Sequence, residues 1–387
     1  MTSSEGSLAG LRQRNRREVL EVVRLRGTTS RAEIAKQTGL STTTVSTLVY
    51  DLIADEVLIE LSDRSAAPGV GRPARLLTFN PRAGGVAGVH LSHDHVRVAV
   101  TDLAGELVAT TVVDFDVDHE PVETLSYVAG AVRRLVAESG IRPDGVVGLG
   151  VAVSAPVMLR THAVSVGRIL PDWQGVDVAG ELGRRTGLPV EVGNDANLGA
   201  IAEHRFGAAQ GIDDLVYVML SDGVGAGLVL GGQLYEGALG GAGELGHVTV
   251  VPDGFVCRCG NRGCLETVAG ARALTAPLAP VLGTSATVAD VVAAAAAGDA
   301  GARRVLADAG TAVGRALLPV CTVLDPALVV LGGDCAGSDA LLGAVREVLA
   351  RELTPLRREP VPVQTGTLGE DAEMLGAVAL ASRRLGH

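Results

Sequence analysis

No stretch of this 387-residue chain reaches the 18 or more uninterrupted apolar residues that a membrane span needs. The opening MTSSEGSLAGLRQRNRREVL has no apolar core of the kind a signal peptide carries. Both absences point to a cytoplasmic protein that contacts no membrane. Lysine is nearly missing: Lys36 is the only one, and arginine supplies the rest of the positive charge, a bias that says little about function. Five cysteines are too few for a disulfide framework at this length, and three of them crowd into CRCGNRGC, which suits a reduced compartment where thiols bind metal. With 47% hydrophobic residues and a mean hydropathy of +0.32, the chain is globular rather than disordered, and it is long enough for two or three domains. Its charge is uneven. Residues 1–82 hold 12 Lys/Arg against 9 Asp/Glu, whereas the remainder holds 21 against 35, so a mildly basic head sits on an acidic body. That asymmetry points to a nucleic-acid contact in the head.

Apolar residues at Val19, Leu20, Val22, Val23 and Leu25 predict a first helix from Asn15 to Leu25. Ser30 and Glu33 have capping-box spacing and open a second helix, which Gly39 ends. Ser41 caps a third, whose buried stripe is Val45, Leu48, Val49 and Leu52. Two short helices joined by a three-residue turn make a helix-turn-helix, and the second of them is the one that enters a major groove. Its outward residues are Ser41, Thr42, Thr43, Thr44, Ser46 and Thr47, with Tyr50 near the end. Short hydroxyl side chains let a helix approach closely and bond phosphates or base edges. VLIEL and ARLLTF then read as two strands of a wing around SDRSAAPGVGRP, with Arg72 and Arg75 placed to meet a phosphate or a minor groove. The alternative is a small helical domain that touches protein only.

Beyond Pro81, strands with glycine turns alternate with Ala-rich helices, expected near 121–139, 176–187, 196–208, 288–298, 301–322, 338–353 and 371–384. GVHLSHDHVRVAVTDLAGELV is echoed by YVMLSDGVGAGLVLGGQLYEG at 217–237. Two similar hairpins about 130 residues apart suggest a duplicated α/β architecture with a cleft between its lobes. The first hairpin also carries His90, His93, Asp94 and His95. Strand alternation puts His90, Ser92 and Asp94 on one side and His93 and His95 on the other, so the three histidines are not expected to converge on one ion.

The strongest local signal is ELGHVTVVPDGFVCRCGNRGCLE at 244–266. His247, Cys257, Cys259 and Cys264 supply one imidazole and three thiolates, the set that closes a tetrahedral zinc site. All four ligands are protein groups, so one structural zinc per chain is expected. Free core cysteines beside an unrelated histidine are the plainer alternative. Asn194 and Asp195 follow the apolar strand PVEVG, and Glu244, His247 and Glu266 flank the zinc loop. Their carboxylates and amides suit the paired hydroxyls of a sugar, although any of them, Asn194 above all, could instead cap a helix.

CxCGxxGCLE preceded by ExGH, with GNDANLGAIAEHRFGA at 193–208, resembles the ROK family of sugar kinases and sugar-responsive transcriptional regulators. LPDWQGVDVAGELGRRTGLPV at 170–190 and LDPALVVLGGD at 324–334 fit as well, and the likeness runs from about Gly84 to the end. The resemblance implies a winged helix-turn-helix followed by a two-lobed, actin-like, sugar-kinase-like (ribonuclease H-like) α/β body. The expected units are the head and its linker at 1–82, a first lobe at 83–193 completed by a C-terminal helix at 371–387, and a second lobe with the zinc loop at 194–370. It also implies that Asn194, Asp195, Glu244, His247 and Glu266 hold sugar hydroxyls, that His247 serves both metal and sugar, and that Asp195 stands at the catalytic-base position of the kinases.

Where the kinase branch has a DxGGT turn for ATP phosphates, this chain has His90, Leu91, Ser92, His93 and Asp94. The magnesium carboxylate, both glycines and the hydroxyl are all replaced. SDGVGAG keeps Gly223, Gly225 and Gly227, but Asp222 replaces a typical threonine, and LGGD adds Asp334. Arg168 and Ile169 fall near a usual Pro-Asn; Arg168 either accepts a sugar phosphate or carboxylate or pairs with a neighbouring acid. The resulting expectation is a non-enzymatic regulator, a repressor of carbohydrate-utilisation genes. Its partners would be operator double-stranded DNA, a monosaccharide or sugar-phosphate effector, and itself as a homodimer or dimer of dimers. The enzymatic alternative is a ROK sugar kinase carrying a DNA-binding head.

Overall fold

A computed structural model of the chain describes residues 8–61, 75–81, 83–158, 164, 170–353 and 359–384. Arg72, Arg168 and Ile169 lie outside these residues. The head is α1 (Leu8–Arg26), β1 (Thr29–Ser30), α2 (Arg31–Thr38), α3 (Thr42–Ala54), β2 (Leu58–Leu61) and β3 (Leu76–Phe79). α1 begins well before the expected Asn15, because the basic first turns carry too little apolar signal to mark it. Ser30 caps α2 through the Glu33 N–H, but the return half of the capping box does not form. The Glu33 carboxylate instead accepts from Gln37 and faces Arg26. Gly39 closes α2 at φ 69°, and Ser41 caps α3 by accepting from the Thr44 N–H. Val45, Leu48, Val49 and Leu52 are all buried and share one core with Val19, Val23, Ile34 and Leu58. β3 pairs antiparallel with both β1 and β2, making the three-stranded base of a wing.

The body holds two five-stranded sheets of the same plan. The first runs β6-β5-β4-β7-β8, from β4 (Gly85–Leu91), β5 (His95–Asp102), β6 (Leu107–Asp114), β7 (Val146–Val153) and β8 (Val190–Asn194). The second runs β11-β10-β9-β12-β13, from β9 (Leu215–Leu220), β10 (Val224–Leu230), β11 (Gln233–Leu234), β12 (Leu328–Gly332) and β13 (Val363–Thr365). In each, a three-stranded antiparallel meander is extended by two parallel strands. The two hairpins legible as an internal echo are β4–β5 and β9–β10. Parallel strands need crossovers, and helices supply them: α4 (Pro121–Ser139) and α5 (Val178–Thr186) in the first half, α10 (Val288–Ala296), α11 (Ala300–Leu324) and α12 (Asp339–Leu353) in the second. Three short helices, α7 (Glu266–Ala269), α8 (Ala271–Thr275) and α9 (Ala279–Leu282), were not foreseeable from periodicity, being about one turn each. α11 is the one described helix long and apolar enough to cross a membrane by length and composition; its apolar face packs on α12 and α10.

α6 (Asp195–Phe206) lies on β9 and β10, while α13 (Ala372–Ala381) lies on β4 and β7, and the two helices pack on each other between the sheets. Glycines allow the close approach of α13 to α6 and to β7. A Cβ at Gly376 would collide with the Leu198 carbonyl, and one at Gly150 with that of Ala377. Leu198, Ile201, Ala377, Ala379 and Ala152 fill the seam.

Candidate functional site

A cleft of about 640 Å³ opens between the two sheets, and Asn194, Asp195, Glu244, His247 and Glu266 all line it. β8 ends at Asn194 and α6 starts at Asp195, so the strand-to-helix step delivers both to the cleft. Asn194 is also the N-cap of α6. Its Oδ1 accepts from the Asn197 N–H at 3.1 Å, and its Nδ2 donates to Asp195 Oδ1 (3.0 Å) and the Ala155 carbonyl (3.3 Å). Asp195 is buried, which pushes its carboxyl upward; the Ser154 hydroxyl and the Ala196 N–H, 2.7 Å away, oppose that by bonding the ionised form. Glu244 is pushed up to about 7 by burial and then by Asp195 and Glu266. Near neutral pH it can therefore both donate and accept a hydrogen bond. Burial acts upward on Glu266 too, but the Arg258 guanidinium bonds both its oxygens, at 2.8 and 3.1 Å, and takes it below the ordinary range. Arg258 sits between two cysteines of CRCG, and motif reading gave no reason to single it out.

His247 stands at the junction of two groups. Its Nδ1 is 3.7 Å from the Cys257 sulfur, and its Nε2 is 3.7 Å from a Glu244 oxygen. The ligand atoms of His247, Cys257, Cys259 and Cys264 all lie within 4.8 Å of one another, and Cys259 and Cys264 are 3.7 Å apart, sulfur to sulfur. A tetrahedral ion with bonds of about 2.3 Å separates its sulfurs by about 3.8 Å, so the donor set and its spacing fit zinc. Burial, and then the neighbouring thiols, pushes Cys264 up to about 12, and a bound cation is what would release those protons.

The first hairpin departs from simple alternation. β4 stops at Leu91, the chain turns through 92–94, and β5 restarts at His95. His90 pairs with Arg97 across the hairpin, and His95 shares Arg97's face, so the His90 and His95 rings meet edge to face with centroids 5.8 Å apart. The expected separation of His90 from His95 is thus overturned by the turn, which resets the side-chain parity. Even so, the imidazoles are committed elsewhere: His93 Nδ1 is 2.7 Å from Asp118 and His95 Nδ1 is 2.8 Å from Asp94. Among the described residues neither ring nitrogen of His90 has a hydrogen-bond partner, and burial, then His95 and Arg97, drives it down to about 3. Two further groups carry no sequence signal. Glu373, at the start of α13, lines the cleft, is buried, and accepts from the Tyr217 hydroxyl at 2.9 Å. Arg97 spans Glu370 (2.8 Å) and Asp371 (3.3 Å).

On the head, Thr42, Thr43, Ser46 and Thr47 are exposed along α3, with Tyr50 beyond them. Three hydroxyls of the set are already used: Ser41 caps Thr44, Thr44 Oγ1 lies 2.8 Å from Ser41, and Thr47 donates to the Thr43 carbonyl at 3.0 Å. Arg75 does not point freely from the wing; it pairs with Glu60, which also holds Arg31.

The ROK family model matches residues 86–384, more than half of the chain. The chain belongs to the ROK family. Within that family it is similar along almost its whole length to the xylose repressor of Bacillus subtilis, 28% identical over 363 residues, 94% of this chain and 93% of that protein. Among solved structures, a ROK family transcriptional regulator described as a homolog of the E. coli MLC protein superposes with a TM-score of 0.80 at 26% identity, covering 97% of each chain. A ROK family glucokinase from Streptomyces griseus, solved with glucose and AMPPNP, matches with a TM-score of 0.66 at 29% identity, covering 77% of this chain and 99% of its own. The fold is accordingly a mixed α/β ROK body, sugar-kinase-like, with an N-terminal helix-turn-helix region.

Proposed function

We propose that this chain is a sugar-responsive transcriptional repressor: a winged head that binds operator DNA, a ROK body that binds a sugar, one structural zinc, and no kinase activity. The observation that carries the reading is the asymmetry of the cleft. Asn194, Asp195, Glu244, His247 and Glu266 gather around one space suited to a sugar, while the hairpin part of the lining carries the side chains of Ser92, His93 and Asp94 where a phosphate turn would have open backbone. A phosphate cradle needs bare N–H groups beside a metal-bearing carboxylate, and here Ser92 and His93 carry side chains at the glycine positions while His90 stands at the carboxylate position. Likeness to a full-length repressor, head included, supports the same reading. In this scheme zinc fixes His247 Nδ1, leaving Nε2 for Glu244 and the sugar, so the metal braces the pocket. Two heads in a dimer, or a dimer of dimers, would meet two half-sites, and sugar binding would change their spacing. By linkage, a sugar that weakens DNA binding itself binds more weakly to the DNA-bound protein.

A kinase with a DNA-binding head is the second reading, favoured by Asp195, buried at the mouth of the cleft, and by the likeness to a glucokinase. An ADP-release assay over hexoses, pentoses and amino sugars separates the two. No sugar-dependent turnover is expected, together with sugar-dependent loss of operator binding in a gel shift; turnover abolished by Asp195→Asn would overturn the repressor-only reading.

A further inference from the structure

The charge of the cleft restricts what can enter it. Nine carboxyl groups line it against two guanidiniums and no lysine among the described residues. Both guanidiniums are committed, Arg258 to Glu266 and Arg97 to Glu370 and Asp371. The four imidazoles offer no spare cation: His93 and His95 face Asp118 and Asp94, His247 faces Glu244, and burial drives His90 towards its neutral form. Asp222, Asp334 and Glu370 line the same space; Arg97 pairs with Glu370, whereas Asp222 and Asp334 are in no ion pair among the described residues and feel Arg258, His93 and His95 only from beyond pairing distance. Asp334 is held above the ordinary carboxylate range by burial and then by Asp222 and Glu370, a sign that the field there is already negative. Hydroxyl groups bond to carboxyls readily in either protonation state, whereas a dianionic phosphate placed among them is repelled by those that are ionised, in a partly desolvated space.

We infer that the effector is an uncharged free sugar, and that this cleft excludes the phosphate ester or the uronic acid of the same sugar. The inference rests on the sugar-sensing reading above and adds the ligand's charge to it. Calorimetry on the full-length, zinc-loaded protein tests it, using free aldopentoses, aldohexoses and 2-acetamido sugars, each beside its phosphate ester, with glucuronate as the acid, and with and without magnesium. A free sugar should bind, and its ester should bind at least about tenfold more weakly in both conditions. Replacing two of the acids, Asp222→Asn with Asp334→Asn, should narrow that gap while leaving free-sugar affinity in place, and raising the salt concentration should narrow it as well. An ester that binds as tightly as the free sugar, with magnesium or through Arg168, overturns this inference alone and leaves sugar sensing intact. A gap unchanged in the double variant overturns electrostatic exclusion. Heat from no member of the panel removes both the sugar-sensing reading and this one.

Discussion

Glu373 enters the core as a carboxyl whose proton folding retains. Burial, with Asp195 adding to it, pushes the group from 4.5 to about 8, although the Tyr217 hydroxyl bonds it. Between those values the folded chain holds a proton that the unfolded chain has released, so stability falls as pH rises from about 4.5 to about 8. His90 works in the opposite direction. Folding lowers it from 6.5 to about 3, so the unfolded chain takes up a proton that the folded chain refuses, and stability falls as pH drops from 6.5 towards 3. Glu373→Gln keeps an acceptor for Tyr217 and removes the first effect. Its melting temperature should exceed that of the native chain at pH 8.5, by an amount equivalent to a few kcal/mol at most, on the order of 1.4 kcal/mol per pH unit, and match it near pH 5. Calorimetric melts across that range check this; equal pH slopes would remove Glu373 as the cause. For the metal set, Cys259→Ser should cut zinc retained after dialysis by about tenfold or more and weaken sugar binding with it. Elemental analysis beside titration calorimetry reads both, and full zinc with normal sugar heat would undo the assignment.

Along α3, adjacent hydroxyls do different work. Ser41 holds the helix start, so Ser41→Ala should cost about 1 kcal/mol of stability. Thr43 is exposed, and its side-chain hydroxyl is in no hydrogen bond with the described residues, which leaves it available to DNA. Thr43→Ala should weaken operator binding by about 1–2 kcal/mol, roughly tenfold, with melting temperature and sugar heat unchanged. A gel shift of native affinity would take Thr43 off the DNA face. Helix caps, the buried stripe of α3 and the strand pairs of the wing were legible because each depends on residues a few positions apart. The Ser30–Glu33 box was only half right for the converse reason. Its carboxylate had other partners in Gln37 and Arg26, and spacing alone does not rank them.

Head and cleft are joined by the two helices of the seam. α6 starts at Asp195 in the cleft, and near its far end Arg205 reaches Glu21 of α1 (3.7 Å) and the Ala379 carbonyl (3.4 Å). α13 starts beside Glu373, and just past its end the Ser382 carbonyl accepts from Arg24 of α1 at 3.3 Å. Burial brings Arg24 down to about 10, so this contact is a docked one rather than a surface pair. A shift of α6 or α13 on ligand binding would thus reach the head directly. Arg205→Ala should leave sugar affinity and DNA affinity of the free protein close to native while reducing the sugar's effect on DNA binding several-fold, as read by operator titrations with and without sugar. Undiminished coupling would show that the signal takes another route. The sequence by itself determined the helix-turn-helix and the strands at the base of the wing, the duplicated hairpins, the Cys/His spacing of the loop at 247–264 and the side chains at 90–94, since these are local patterns of spacing and side-chain type. Only the tertiary structure decided that Arg258 grips Glu266, that His90 meets His95, that Glu373 is sealed against Tyr217, and that the head docks on the ends of α6 and α13. Those pairings join residues brought together by a turn, a sheet or a helix crossing, and neither their approach nor their burial is written in any one segment.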